Sequence, residues 1–362
     1  TMTSDREPGV EEPLAEEPLS ERPPTEEGSD AASAYPPGYP HRWETDADIV
    51  ASLGLDSYRF SIEWSRIEPE PGLWSTAALD HYARQCDGFR ARGIDPVVTF
   101  HHFSSPRWIA EAGGWESDET VERFAEFCAR AGAHLGTDRV ARACTINEPN
   151  VVAVCGFLLG IFPPGVSDVG RAVEVGERFV RAHRASVEAI RSVLPGVPVG
   201  LTLSMAEWVA VGDTDEERAR AQERLEHDRG LMEDTYLDAV DGDDFLGVQA
   251  YSRQRYGPDG MLGSEEGVDT LVMGYEYWPD ALEATIRRAW ERTGGRVPLL
   301  VTENGIGTDD DAQRIAYVRA ALEGVQRCLA DGIDVGGYTY WSLLDNFEWA
   351  YGYRPRFGLV EV

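Results

Sequence analysis

Lysine is absent from this chain of 362 residues. All 33 basic side chains are Arg, set against 64 Asp and Glu, for a formal net charge of −31. A field of that sign repels polyanions, which argues against nucleic acid and anionic membranes as partners. Two origins fit the composition equally: adaptation to high salt, where screening suppresses self-repulsion, and a GC-rich genome that spells its basic residues as Arg. Cysteine is sparse. The five (Cys86, Cys128, Cys144, Cys155, Cys328) are scattered, odd in number and without C-x-x-C spacing, which argues against a disulfide framework or a zinc site and fits a reducing cytoplasm. No apolar run reaches transmembrane length, and the acidic N-terminus lacks the basic and apolar regions of a signal peptide. There is no Gly-rich phosphate loop, no H-E-x-x-H and no Ser-His-Asp order, so dinucleotide, zinc and serine chemistries lack support, and neither cofactor nor metal is expected.

Residues 1 to 34 are rich in Glu and Pro and poor in large apolar residues. Such a segment cannot offset its ordering entropy by burial and is expected to be a disordered tail. From residue 35 to 362 one catalytic domain is expected. Trp43, Ile49, Val50 and Leu53 fall at helical spacing ahead of Gly54, and a strand follows over residues 56 to 61. Helices over about 75 to 92, 118 to 135, 169 to 194, 214 to 240, 279 to 293 and 312 to 330 then alternate with strands at 96 to 102, 142 to 148, 197 to 204, 245 to 251, 298 to 303 and 335 to 343. Strand and helix in regular alternation imply parallel strands with right-handed crossovers. About seven strands are visible, one short of the eight that close a (β/α) barrel. The expected fold is α/β; if it is a barrel of the (β/α)8 TIM type, the first strand and the last helix are absent from this sequence. An unclosed barrel leaves two edges with unpaired backbone groups, and pairing with a second chain in a homo-oligomer is one way to cover them.

Two stretches share a design. Residues 298 to 305 (PLLVTENG) run an apolar strand into Glu303, and residues 142 to 149 (RACTINEP) run one into Glu148, where Pro149 forbids continuation. A carboxylate at a buried strand end is costly unless bonded or used, and two on one sheet suggest a paired acid and nucleophile. In barrels the chemistry gathers at the C-terminal strand ends. Here those ends deliver Arg59, His102, Asn147 with Glu148, Tyr251, Glu303, and then Trp341 with Glu348 and Trp349. Aromatic faces edged by carboxylates and amides suit a sugar, whose CH faces stack while its hydroxyls need hydrogen-bonding partners. Strand alternation turns His101 to the face opposite His102.

The segments YRFSIEWSRIEP (58 to 69), TFHHF (99 to 103), TINEPN (145 to 150), VTENG (301 to 305) and YWSLLDNFEWAYGY (340 to 353) resemble, in order, the signatures of family 1 glycoside hydrolases. The resemblance covers about residues 41 to 362. It implies a (β/α)8 barrel acting on β-glucosides or β-galactosides by retaining double displacement, with Glu148 as acid/base and Glu303 as nucleophile. It also implies that Arg59 and Tyr251 support the nucleophile, that Asn147 meets the 2-hydroxyl and His102 the 3-hydroxyl, that Trp341 stacks under the sugar, and that Glu348 holds the 4- and 6-hydroxyls with Trp349 alongside. Phe357 is a candidate pocket wall. A carboxylate at 348 argues against a 6-phosphorylated sugar. The sequence departs from the family in three places. A first-strand segment resembling FLWGAATAAYQ, with a sugar-gripping Gln, does not occur; the last helix is missing; and Gln249 stands where the family usually has Asn. A second reading thus stays open, a truncated and catalytically impaired sugar-binding homologue.

Overall fold

A computed structural model describes residues 42–361; the tail expected over residues 1 to 34 lies outside them. Helices form at α1 (Trp43–Ser52), α2 (Thr76–Arg90), α3 (Asp118–Leu135), α4 (Val169–Val193), α5 (Asp215–Arg229), α6 (Ala281–Arg292) and α7 (Asp311–Ala330), where apolar residues recur every three to four positions in all but the largely charged α5, which buries only Ala221 and Leu225. Several starts are marked chemically. The side chains of Ser75, Asp168, Thr214 and Asp310 accept from backbone N–H groups of the first turn, and Thr214 forms a capping box with Glu217.

Between the helices run β1 (Ser57–Ser61), β2 (Asp95–His102), β3 (Arg142–Asn147), β4 (Val199–Ala210), β5 (Phe245–Gly257), β6 (Gly260–Met261), β7 (Leu299–Glu303) and β8 (Val335–Tyr338). The sheet order is β1-β2-β3-β4-β5-β7-β8, all parallel, with the short β6 folded back antiparallel on β5. This is the α/β architecture of a (β/α) barrel. Among the described residues it stays open, because β1 and β8 end the path and do not pair with each other. Burial reflects this: β1 is half-buried along its whole length, whereas β7, flanked by β5 and β8, is buried throughout.

Val98, Phe100, Leu203 and Val248 of the strands pack with Phe124 and Phe127 of α3 and Phe179 of α4 to form the main core. A smaller cluster of Val97, Cys144, Phe245 and Leu300 lies on the other face of the sheet, where Cys144 meets Arg59. At the opening, Leu343 beyond β8 packs with Ala47 and Val50 of α1, Phe89 of α2 and Ile94.

Four elements depart from the periodicity. Strands β4 and β5 run on to Ala210 and Gly257 instead of ending near 204 and 251, because they keep pairing past the rim, from Glu207↔Arg253 to Ala210↔Tyr256. Strand β8 stops at Tyr338, short of 343, because its partner β7 ends at Glu303; beyond it, only single bonds such as Trp341 N to Asn304 O continue the contact. The helix expected over 214 to 240 breaks after Arg229 into a π-helical turn, Gly230–Asp234. The wider turn swings Glu233 inward, where it accepts from Trp208 Nε1 at 2.6 Å and from the backbone N–H of Ala206 at 3.1 Å, and pairs with Arg288.

Candidate active site

The strands that lead to Glu148 and Glu303 each carry one residue more than a neighbour near their C-terminal ends. Cys144↔Gly200 is followed by Asn147↔Thr202, and Val248↔Val301 by Gln249↔Glu303. Such bulges break the two-residue alternation and re-aim the side chains beyond them, here Asn147 and Glu303. Backbone strain gathers at the same place. The non-glycine residues with positive φ among the described residues are Phe103 (68°) and Glu148 (44°), each one residue past a strand end, and Trp349 (48°), in the segment that follows β8. Conformations of this kind cost about 1–3 kcal/mol each and persist where the surroundings over-determine them. Glu148 holds the N-cap position of the short helix Pro149–Ala153, yet its side chain makes no capping bond.

One guanidinium ties the two signatures together. Arg59 Nη1 donates to Glu303 Oε1 at 2.6 Å, and Arg59 Nη2 donates to the Oδ1 of Asn147, the residue before Glu148. The second oxygen of Glu303 accepts from the Tyr251 hydroxyl at 2.6 Å. Arg59 and Glu303 are almost wholly buried, their side chains 4% and 6% exposed, so their attraction is little screened. Burial disfavours the Arg59 charge, but Glu303 more than restores it, and the guanidinium stays protonated.

The electrostatics divide the carboxyls. Glu148 is held well above the usual carboxylate range, first by burial and then by the negative charge of Glu303; Arg59 and the Ser204 hydroxyl oppose this less strongly. Glu348 is also raised, chiefly by burial, and its charge acts on Glu148 in turn. Burial and Glu303 keep the Tyr251 phenol protonated as a donor. His102 is pushed well below its ordinary value by burial and by Arg59, so its ring is neutral.

The other predicted residues surround this centre. Asn147 Nδ2 lies 3.3 Å from His102 Nε2. The His102 ring lies 5.9 Å from Trp341 and 6.3 Å from Trp349, and Trp349 closes an aromatic group with Phe103 and Phe162. Asn346 Nδ2 donates to Glu348 at 2.8 Å. His101 points away, into Trp115, Phe124 and Phe179. Phe357 requires correction as a pocket wall: it is 1% exposed and packs edge-on to Tyr251, on Gly307.

Sequence reasoning missed the layer that holds these groups. Asn304 donates to Ala250 O at 2.6 Å and accepts from the Tyr338 hydroxyl at 2.8 Å, while the Tyr317 hydroxyl donates to Tyr251 O at 2.8 Å. The Asn-Gly step after Glu303 carried that signal. A Cβ on Gly305 would stand 2.0 Å from Trp341 O, so the glycine permits a close backbone approach. Among the described residues no group of three or more His, Cys, Asp or Glu comes together as a metal site, and no helix is long and apolar enough to cross a membrane.

The sequence profile described as Glycosyl hydrolase family 1 matches residues 21–244 and 253–362. A 1,4-beta-D-glucan glucohydrolase of Thermotoga neapolitana is 31% identical over 363 residues, covering 89% of this chain and 85% of that protein. Among solved structures, the beta-glycosidase BGL167 superposes with a TM-score of 0.80 at 43% identity, over 90% of this chain and 81% of that one. A family 1 β-glucosidase from Thermotoga maritima in complex with isofagomine lactam gives 0.81 at 30% identity, over 90% and 82%.

Proposed function

The chain belongs to glycosyl hydrolase family 1 and is a glycoside hydrolase, and from that premise we propose that it cleaves β-glucosides or β-galactosides with retention, through Glu303 as nucleophile and Glu148 as acid/base. The observation that carries this reading is the Arg59 bridge: one buried cation holds Glu303 and the residue beside Glu148 at a single centre. Retention needs the two carboxyls about 5 Å apart.

In the first step a Glu303 oxygen attacks the anomeric carbon, the bond to the leaving oxygen breaks, and Glu148 gives that oxygen its proton. Protonated Glu148 suits this step, since burial and Glu303 both favour its neutral form. Once Glu303 is an ester its charge is gone, and Glu148, now an ionised base, no longer feels that repulsion. It takes a proton from water, the hydroxide attacks the same carbon, and the ester bond breaks, returning Glu303 as carboxylate and Glu148 as acid. The remaining assignments follow the same reading: Asn147 at the 2-hydroxyl, His102 at the 3-hydroxyl, Trp341 beneath the ring, Glu348 at the 4- and 6-hydroxyls with Trp349. Solved sugar-mimic complexes of a family neighbour support a carbohydrate in the pocket, and five unpaired thiols support a cytoplasmic setting.

Turnover of 4-nitrophenyl β-glucoside and β-galactoside tests the proposal. Glu303→Ala abolishes it, Glu148→Ala lowers kcat by roughly 10²–10⁴, and the sugar released first is the β-anomer by proton NMR. An α-anomer, or full activity in either variant, removes the assignment. Sugar binding without turnover by folded wild-type protein would favour the impaired homologue instead.

A further inference from the structure

Beside the two carboxylates, the site's most heavily engaged acceptor is the side-chain oxygen of Asn147. It receives Arg59 Nη2, Gln249 Nε2 at 3.0 Å and Thr202 Oγ1 at 3.3 Å. Two of these donors are divided. Thr202 has a single hydroxyl proton and lies equally 3.3 Å from Ile146 O. Arg59 is shared with Glu303, whose charge disappears whenever the glycosyl ester forms. Gln249 is neutral and wholly buried, and it makes no other side-chain bond among the described residues.

Its orientation is forced. Turned over, the amide would set Oε1 against Asn147 Oδ1, two acceptors face to face. As placed, Oε1 is buried without a partner, an uncommon arrangement in a native interior that calls for an explanation. Length matters as well. Gln249 stands on β5 and Asn147 on β3, with β4 between them, so the contact spans roughly two strand spacings of about 5 Å each. The short Thr202 occupies the crossing.

We infer that Gln249 is a positioning residue that locks the Asn147 amide, oxygen inward and Nδ2 toward the sugar's 2-hydroxyl, through both half-reactions. The inference rests on the glycosidase reading above. Arg59 loosens when Glu303 is esterified; the Gln249 donor does not depend on that charge and keeps Asn147 in register while water attacks. Since the 2-hydroxyl contact is one that strengthens in glycosidase transition states, the effect belongs to kcat more than to KM.

The test compares wild type with Gln249→Met, close in volume but without a donor, on 4-nitrophenyl β-glucoside and on its 2-deoxy counterpart. The expected result is a loss in kcat/KM of about tenfold to a hundredfold on the parent sugar, carried by kcat, and under about threefold on the 2-deoxy sugar. Gln249→Leu likewise carries no donor, and it shows the same selective loss should the Met variant fold poorly. Equal losses on both sugars, or none on either, overturn the inference. Calorimetric binding of a gluco-configured lactam and its 2-deoxy form gives an answer independent of turnover: the variant loses affinity selectively for the former, and an unselective change refutes the role. Inactive wild type would thus sink the glycosidase reading while binding still decides the part played by Gln249.

Discussion

Glu148 and Glu303 are the same residue type placed under opposite conditions. Glu303 has a cation on one oxygen and a phenol on the other; Glu148 is buried and faces negative neighbours, which retain its proton. Glu348 is one of those neighbours, and this makes its second effect testable. Glu348→Gln takes away a nearby negative charge that raises Glu148, so the pKa of Glu148 falls. In the mechanism proposed above Glu148 acts in its protonated form, and the alkaline limb of the kcat profile therefore moves to lower pH. A limb that stays put or moves up would show that Glu348 acts on sugar binding alone.

At the scale of elements, the site depends on turns and bulges more than on helices. Gly305 lets the exit of β7 meet the backbone at Trp341. Gly305→Ala places a methyl 2.0 Å from a carbonyl oxygen and is expected to cost about 1–3 kcal/mol by urea denaturation, with activity falling alongside. The π-helical turn supplies a pH-dependent tie. Burial lifts Glu233 well above the usual carboxylate range, to about 7, against the pull of Arg288, Trp208 and Ala206. A carboxyl with a raised folded-state pKa contributes stability that is full below its unfolded value and is lost as pH rises through the folded one. Melting temperatures followed from about pH 4.5 to pH 7 should thus show a decline in wild type that is shallower in Glu233→Gln. Parallel curves would mean that the Arg288 pair keeps Glu233 ionised throughout.

For the whole molecule, the open sheet is the governing feature. Among the described residues strands β1 and β8 each have one neighbour, and β1 is half-buried where β7 is fully buried. Edge elements with fewer buried contacts open locally at lower free energy. In hydrogen exchange, fragments covering Ser57–Ser61 and Val335–Tyr338 should label before those covering Arg142–Asn147 and Leu299–Glu303; equal protection would mean that something covers the edges in solution.

Much of this was legible in one dimension, because it depends on short-range rules. Apolar periodicity places the helices within a few residues, and an apolar run stopped by Glu-Pro or Glu-Asn-Gly marks a strand delivering a carboxylate. Alternation turns His101 and His102 to opposite faces. What the linear order could not contain is the count of residues on neighbouring strands. The extra residues in β3 and β7 appear only when Asn147 is set against Thr202 and Glu303 against Gln249. Contacts such as Arg59 with Glu303, 244 residues apart, Gln249 reaching Asn147 across a strand, and Phe357 sealed behind Tyr251 likewise exist only once the sheet curls. Hydrophobic pattern selects elements locally, whereas register and long-range hydrogen bonds are properties of elements already packed, and those decide which side chains meet.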